Sequence, residues 1–500
     1  MNPGTARAME VLDRLAQRGV QAHHLCSDSR AVQAGDVFLA FPGARADGRR
    51  FIGDAAARRA AAVLWDEADF AWDAGCTLPN LPVAELPALA GHLAHLVYGR
   101  PTERLLTIGV TGTNGKTSVS QWVAEALGAL GRPCAVVGTL GSGFPGRLAK
   151  SLNTTPDAIT LQRDCAGFVD QGAEAVAMEV SSIGLHQGRV NGAHFDIAAF
   201  TNLSRDHLEY HGTMQAYAAA KVQLFHAEAL RAAVLNLDDP LGASIARDMR
   251  RGGARRIGYT LDGAMAGEVD VDALLVAEAI TATPQGLDFT IAAPQARARV
   301  QVALLGEFNV SNLLAVVGIL IESGATLEQA TAVLPRLAPP PGRMQALGGE
   351  LQPLVVVDYA HTPDALDKAL SVLRQTARVR GGRLVCVFGC GGQRDPGKRP
   401  LMGAVAARLA DAVLLTSDNP RDEDPQAILA DIARAAPTAR IVTDRGMAIG
   451  AAVAAAAAHD VVLIAGKGHE TYQEVAGACL PFSDVERVAA ALHDWPGGAT

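Results

Sequence analysis

The sequence predicts an α/β protein built as three domains, and three observations carry that expectation. The chain has 500 residues, 49% hydrophobic and 19% charged, which supplies several cores at roughly 100–200 residues per domain. Over its last two segments, short apolar runs alternate with helix-like stretches, the pattern of a mostly parallel sheet with crossover helices. Two breaks divide the chain: Gly99-Arg-Pro101 before a buried-strand run, and Ala338-Pro-Pro-Pro341-Gly342, whose prolines cannot continue a helix. The expected domains are therefore 1–100, 101–337 and 338–500.

Charge and cysteine usage narrow the function classes. Lys+Arg 44 against Asp+Glu 52 gives a formal charge of −8 and a pI near 5.9. That argues against a nucleic-acid partner, while leaving room for a local basic pocket that takes anionic metabolites. The 7 cysteines are scattered and odd in number, which fits a reducing compartment. Glu10, Asp13, Arg14 and Arg18 break any signal-peptide core near the N-terminus. The apolar runs Leu313–Ile321 and Ala451–Ala458 are too short to span a bilayer. A soluble, cytoplasmic protein without a membrane partner is expected, acting as a monomer.

The elements follow in order. The first segment mixes short strands such as Asp36–Ala40 with alanine-rich helical stretches. In the second, Leu105–Val110, Ala175–Val180, Ile197–Phe200 and Ala233–Leu237 are strand candidates, and Ala298, Val300, Val302 and Leu304 alternate as in a half-exposed strand. The third offers Leu354–Val357, Leu384–Phe388, Ala412–Thr416, Arg440–Thr443 and Val461–Ala465 as strands of a doubly wound, Rossmann-like sheet. Its alanine-rich run after Met447 reads as a buried helix.

The strongest local signal is Gly109-Val-Thr-Gly-Thr-Asn-Gly-Lys-Thr-Ser118, after a strand and before a helix over Val119–Leu127. Gly112, Thr113, Asn114 and Gly115 can wrap backbone N–H groups around a phosphate. Lys116 can neutralise charge, Thr117 can ligate Mg²⁺, and Ser118 opens the helix. The strict template wants glycine where Val110 stands, so this is a variant P-loop in a P-loop-type central domain. Glu179, at a strand end, suits either a Mg²⁺ ligand or a capping carboxylate. His207 and His211 would share a helix face, with Glu209 pointing elsewhere, so a zinc site fails. Magnesium or substrate phosphate is the better reading for His207, against an ordinary helix start. Lys221, taken by itself, reads as a solvated helix lysine.

In the third segment four polar loops follow four of the strand candidates: Asp358–His361, Gly389–Asp395, Asp418–Arg421 and Gly466–Glu470. Ligands of open parallel sheets bind outside the carboxyl ends of the strands, where these loops would all lie. Arg394, Arg421 and Glu470 on one edge suit a small molecule carrying charges of both signs. Cys386 and Cys390 read as structural.

Together these motifs resemble the Mur ligase family, ATP-dependent amino-acid-adding enzymes of peptidoglycan synthesis, over essentially the whole chain. Thr111–Thr117 is similar to the family's phosphate loop, which also lacks the leading glycine. Leu305–Asn312, Pro341-Gly-Arg343 and Val357–His361 are similar to its other nucleotide signatures. Ser27-Asp-Ser-Arg30, Gly35-Asp36 and Ala44-Arg-Ala-Asp-Gly-Arg49 resemble its uridine-diphosphate-binding N-terminal domain, implying contacts from Ser27, Ser29, Ala44, Arg45 and Ala46. Asn153, Thr154, Thr155, Ser181, Gln187 and Arg189 look like its muramoyl-dipeptide contacts, with Ile183 and His186 departing from the family pattern. Asp418-Asn-Pro-Arg421 resembles the motif of members that add diaminopimelate to the D-glutamate of UDP-N-acetylmuramoyl-L-alanyl-D-glutamate. With it, Arg394, Asp418, Asn419, Pro420, Arg421, Gly466 and Glu470 are the expected amino-acid contacts.

The resemblance implies ATP and Mg²⁺ as cofactors and an acyl-phosphate intermediate. Thr117, Glu179 and His207 would form the metal neighbourhood, joined by Lys221 as a carbamate, since a bare ammonium would be repelled by Mg²⁺. Lys116, Glu179, His207 and Lys221 are the expected catalytic group. Asn309 and His361 would flank adenine, Asp358 the ribose and Arg343 the γ-phosphate. The alternatives are a folylpolyglutamate-synthase-like ligase, the lysine-adding variant of the same ligase, and a non-catalytic nucleotide-binding regulator.

Overall fold

The computed structural model describes residues 2–43, 46–249, 253–263, 269–283 and 286–498. Three sheets organise them. The first is parallel, with Leu25–Cys26, Val37–Ala40, Ala62–Asp66 and Asn80–Val83 side by side in chain order. Val-Phe-Leu-Ala makes a strand with no polar position because the sheet is covered on both faces. Val37 and Leu39 pack toward the helices Pro3–Ala16 and Leu86–Val97, whereas Phe38 and Ala40 face Ile52, Ala55 and Trp65.

The second sheet has eleven strands. Its parallel core runs Cys134–Gly138, Ala175–Glu179, Leu106–Thr111, Ile197–Phe200, Ala232–Asn236, Arg255–Thr260 and Ala273–Thr283. Antiparallel strands flank it on both sides, Gly286–Ala293 and Ala296–Val302 at one edge and Gly141–Phe144 and Arg147–Ala149 at the other. One face receives the helices Lys116–Ala129 and Glu307–Glu322, and alternate residues show the division: Cys134 and Val136 join that core, Ala135 and Val137 the opposite one. The indole of Trp122, 1% exposed, donates to the carbonyl of Ala338 at 2.7 Å and ties the helix to the proline linker.

The third sheet follows the order Gln345–Gly348, Leu354–Asp358, Val461–Ala465, Leu384–Phe388, Ala412–Leu415 and Arg440–Ile441, parallel apart from the first edge strand. Helices Pro363–Arg380 and Lys398–Leu409 cover one face, Arg445–Ala454 and Asp484–His493 the other. A two-stranded hairpin, Tyr472–Val475 with Ala478–Pro481, stands beside it.

Every strand expected in the last two segments is present, within a residue or two of its expected ends. Several others carry too mixed a pattern to be read as strands. Arg255–Thr260 opens on two arginines, and Arg256 is buried only because Asp270 and Asp272 pair with it. The alanine-rich helix ends at Ala454, short of the full run to Ala458.

Candidate active site

The phosphate loop forms as its sequence requires. The strand Leu106–Thr111 ends, Gly112 adopts φ 148° and Gly115 φ 87°, and the helix begins at Lys116. Both glycines are needed: a Cβ on Gly112 would collide with Thr201 Oγ1, and one on Gly115 would press on Asn312 Oδ1. The turn after the neighbouring strand braces the loop, with the Asn114 amide donating to Asn202 Oδ1 at 3.0 Å and Thr113 Oγ1 to the Ser204 carbonyl at 3.2 Å. Lys116 Nζ folds back to donate to the carbonyls of Gly112 and Thr113, both at 2.8 Å. Burial pushes its pKa down, with Glu179 and Asp206 opposing that shift.

Behind the loop, Thr117 Oγ1 donates to Glu179 Oε2 at 3.0 Å, and Glu179 also accepts from the backbone and hydroxyl of Thr139 at 2.8 and 3.1 Å. Glu179 is 1% exposed, so the solvated-cap reading fails. Lys221 is likewise buried, and the solvated-lysine reading fails with it. Its Nζ donates to the Gly112 carbonyl at 2.7 Å and lies 4.4 Å from the Tyr217 ring centre. Burial and then Lys116 hold its pKa well below the usual lysine value.

His207 departs from expectation. It caps the one-turn helix Leu208–His211 at φ 52°, so the two histidines share no continuous helical face. Glu209 does not point away either: its carboxylate is 3.7 Å from His207 Nδ1, with Asp206 3.5 Å from Nε2. Among the described residues, the contacts of the His207 ring are with Asp206, Glu209 and Tyr217, not with Glu179. Among the described residues no cluster of three or more His, Cys, Asp or Glu side chains could hold a metal. The Thr117 hydroxyl and Glu179 carboxylate nonetheless fit Mg²⁺, which takes one or two protein oxygens and completes its shell from phosphate and water.

A cleft of about 910 Å³ opens in front of the loop, between the second and third sheets. Asn114, Gly115, Thr117, Ser118, Asn309, Arg343 and Asp358 all stand on its wall, so most residues expected at the nucleotide converge there. Arg343 reaches from the third segment to the second: its Nη2 donates to Thr117 Oγ1 at 3.2 Å, its guanidinium lies 4.6 Å from the Tyr359 ring centre, and its buried Nε has no hydrogen-bond partner among the described residues. Asp358 accepts from the Met344 amide at 2.7 Å, and burial raises its pKa against the pull of Arg343. His361, expected beside adenine, is not on this wall. It faces Asp206 at 3.8 Å, and burial and Lys398 push its pKa down to about 4.

The residues expected at the muramoyl dipeptide form a connected set. Thr155 Oγ1 donates to the Glu179 carbonyl at 2.9 Å and lies 3.1 Å from Ser181 Oγ, while Arg189 donates to the Thr155 carbonyl and to Gln187 Oε1. Thr154 reaches the same node through Thr139 at 3.0 Å, and Asn153 is exposed beside it. Ser27, Ser29 and Ala46 lie with the first sheet and make no hydrogen bond to this set; Ala44 and Arg45 lie outside the described residues.

At the carboxyl edge of the third sheet the expected amino-acid contacts meet. Gly466 takes φ 115°, and a Cβ there would press on Asp418 Oδ2, so the position requires glycine; Gly392 packs under the Pro420 carbonyl. Arg394 and Arg421 both approach Gly391. Of the three charges expected to await a ligand, Arg394, Arg421 and Glu470, two are already paired. Arg421 Nε donates to Glu474 Oε2 at 2.9 Å and its Nη1 to the Gly392 carbonyl at 2.7 Å. Glu470 Oε2 accepts from Lys467 Nζ at 2.7 Å and Asn419 Nδ2 at 2.8 Å. Sequence reasoning singled out neither Lys467 nor Glu474. Lys467 sat inside a loop already flagged, whereas Glu474 belongs to the hairpin, which carried no signal.

A parallel-sheet phosphate loop reached by an arginine from the turn leading into a second, mostly parallel sheet makes this a nucleotide-handling α/β enzyme of the P-loop class. Comparisons refine that class. The Mur ligase catalytic domain matches residues 21–98, the Mur ligase middle domain 110–320 and the Mur ligase glutamate ligase domain 342–468. The chain belongs to the Mur ligase family. It is 51% identical to the UDP-N-acetylmuramoyl-L-alanyl-D-glutamate–2,6-diaminopimelate ligase of Chromobacterium violaceum, covering 96% of each chain. It is 50% identical to the ligase of the same name from Pseudomonas aeruginosa, over 96% of this chain and 97% of that one. A solved structure of a ligase so named superposes with a TM-score of 0.67 at 36% identity, covering 95% of both chains. A folylpolyglutamate synthase from Mycobacterium tuberculosis, at 16% identity and TM-score 0.57 over 76% of this chain and 92% of that one, shares the fold alone.

Proposed function

We propose that this protein joins meso-diaminopimelate to the D-glutamyl carboxylate of UDP-N-acetylmuramoyl-L-alanyl-D-glutamate, consuming ATP, in peptidoglycan precursor synthesis. The geometry that carries the reading is the contact of Arg343 with Thr117, which joins the turn leading into the third sheet to the phosphate loop, with Asp358 on the wall of the same cleft. The full-length relatives of that name supply the substrates. The domains are taken as 1–100 for the uridine nucleotide, 101–337 for ATP and 338–500 for the amino acid. The working unit is taken as a cytoplasmic monomer. No helix among the described residues is long and apolar enough to cross a membrane.

The D-glutamyl carboxylate attacks the γ-phosphorus, forming an acyl-phosphate as the bond to ADP breaks. The diaminopimelate amine then attacks the acyl carbon, loses its proton, and expels phosphate. Lys116 and Arg343 offset charge on the transferring group, a contribution of position and electrostatics. Thr117 and Glu179 would hold Mg²⁺, which when bound neutralises phosphate charge. Lys221 would carry a carbamate: carbamylation needs a neutral amine, and burial disfavours the ammonium here.

Phosphate release measured with ATP alone, then with the dipeptide nucleotide, then with diaminopimelate added, tests the whole reading. Turnover requiring both substrates is expected. Turnover with lysine in place of diaminopimelate identifies the lysine-adding variant, turnover with a folate and glutamate the folate ligase, and no turnover with any set a nucleotide-binding regulator.

A further inference from the structure

Lys467 has no role in the reaction as written, yet it is 0% exposed. A buried ammonium persists only where anionic or dipolar partners surround it. Its Nζ donates to Asn419 Oδ1 at 2.9 Å and to Glu470 Oε2 at 2.7 Å, 5.6 Å from the Tyr472 ring centre. These bonds have two effects. Asn419 Oδ1 also accepts the Glu474 amide at 3.0 Å, so the side-chain amide is held with Nδ2 turned to Glu470 at 2.8 Å. Glu470 Oε2 therefore carries two donors, and no hydrogen bond among the described residues reaches Oε1.

We propose that Lys467 is a positioning residue of the amino-acid site, locking Asn419 and Glu470 in one orientation so that Glu470 Oε1 meets the distal ammonium of the incoming amino acid. The proposal rests on the assignment of Asn419, Arg421 and Glu470 to diaminopimelate. It also explains the pairing at the edge. Lys467 opposes Glu470, and Glu474 opposes Arg421. Each of these two pairs is balanced before a ligand arrives, and together they suit an end group with one charge of each sign. Lysine, whose distal end is only an ammonium, would meet the Glu470 half of that arrangement and leave the Arg421 half without a ligand partner.

Steady-state kinetics on the full chain separate this role from a structural staple. Lys467→Met should raise the KM for diaminopimelate by roughly tenfold or more, the scale of a lost charge-assisted bond. The kcat at saturation and the KM values for ATP and the dipeptide nucleotide should stay within about threefold. In a Glu470→Gln background the same substitution should add less than about twofold, because the lysine has lost the carboxylate it positions. Fully additive effects, or a general loss of kcat with all three KM values raised, would overturn the proposal. Glu470→Gln leaving the diaminopimelate KM unchanged would instead remove the site assignment, a distinct outcome that takes the proposal with it. If Lys467→Met does not fold, Lys467→Gln, which retains a donor toward Asn419, replaces it. Folded protein from neither would make Lys467 a requirement of the fold and overturn the proposal.

Discussion

The phosphate loop and the amino-acid edge handle charge in opposite ways. At the loop, Lys116 and Lys221 converge on one carbonyl, that of Gly112, and both are held toward their neutral forms by burial. At the edge, Arg421 and Lys467 each sit on a carboxylate within 2.9 Å. At the loop the amines are crowded onto one carbonyl, and an arriving polyanion gives Lys116 the opposite charge that favours its ammonium form. A site with paired charges is made for a zwitterion, which gains by geometry rather than by net attraction.

The largest effect should come from the underpaired side. Lys116→Ala is expected to reduce phosphate release by roughly thousandfold or more, as for loss of a key transition-state donor, with the thermal midpoint little changed. Near-normal turnover in a folded variant would remove the phosphate-loop assignment.

Lys221 sharpens the comparison through stability. Its folded-state pKa lies below its unfolded value, so between those two values the unfolded chain binds a proton the native chain does not. Stability therefore rises with pH across that window, and the neutral native lysine is a liability below the unfolded value. Lys221→Met should lose activity by roughly hundredfold yet melt a few degrees higher near pH 7. In Lys221→Ala, a small carboxylic acid in the buffer should partly restore turnover. Mass spectrometry showing an unmodified lysine in fully active enzyme would exclude the carbamate.

On the paired side, Arg421→Ala should lower kcat/KM for diaminopimelate by roughly a hundredfold. It removes a carboxylate partner and leaves Glu474 facing the ligand's own carboxylate. The lysine reaction should change little, so the preference collapses. Adding Glu474→Gln should recover part of the loss, and an equal loss for both amino acids would assign Arg421 to the fold instead. The smallest effect belongs to Arg205 and Asp395, 3.2 Å apart between the second and third segments with Arg205 50% exposed. Such a screened pair contributes about 0–1 kcal/mol, and Arg205→Ala should alter kcat less than about fivefold in saturating-substrate assays.

What the sequence could show follows the same division. The phosphate loop was legible because strand, glycines, lysine and helix are contiguous, and their spacing alone dictates the turn. Lys221 was not, since a helix lysine shows its burial only once Tyr217 and the Gly112 carbonyl are folded against it. Glu474 escaped because its partner Arg421 is 53 residues away on another loop. That His361 turns toward Asp206 rather than onto the cleft wall was not legible, because a motif gives order along the chain, not the direction its ring will face. Arg255–Thr260 was missed as a strand because its arginines hide a pattern that only paired aspartates make possible.

The bond between Trp122 and the Ala338 carbonyl gives the molecule an optical readout of its own. The chain has 4 tryptophans, and Trp122 lies on the cleft wall with its indole anchored to the interdomain linker. Emission from an indole shifts to the red and is quenched when its hydrogen bond or its dry surroundings change. Any swing of the linker that accompanies nucleotide binding should therefore colour the fluorescence of this one residue, with Trp122→Phe as the blank, and no dye attached.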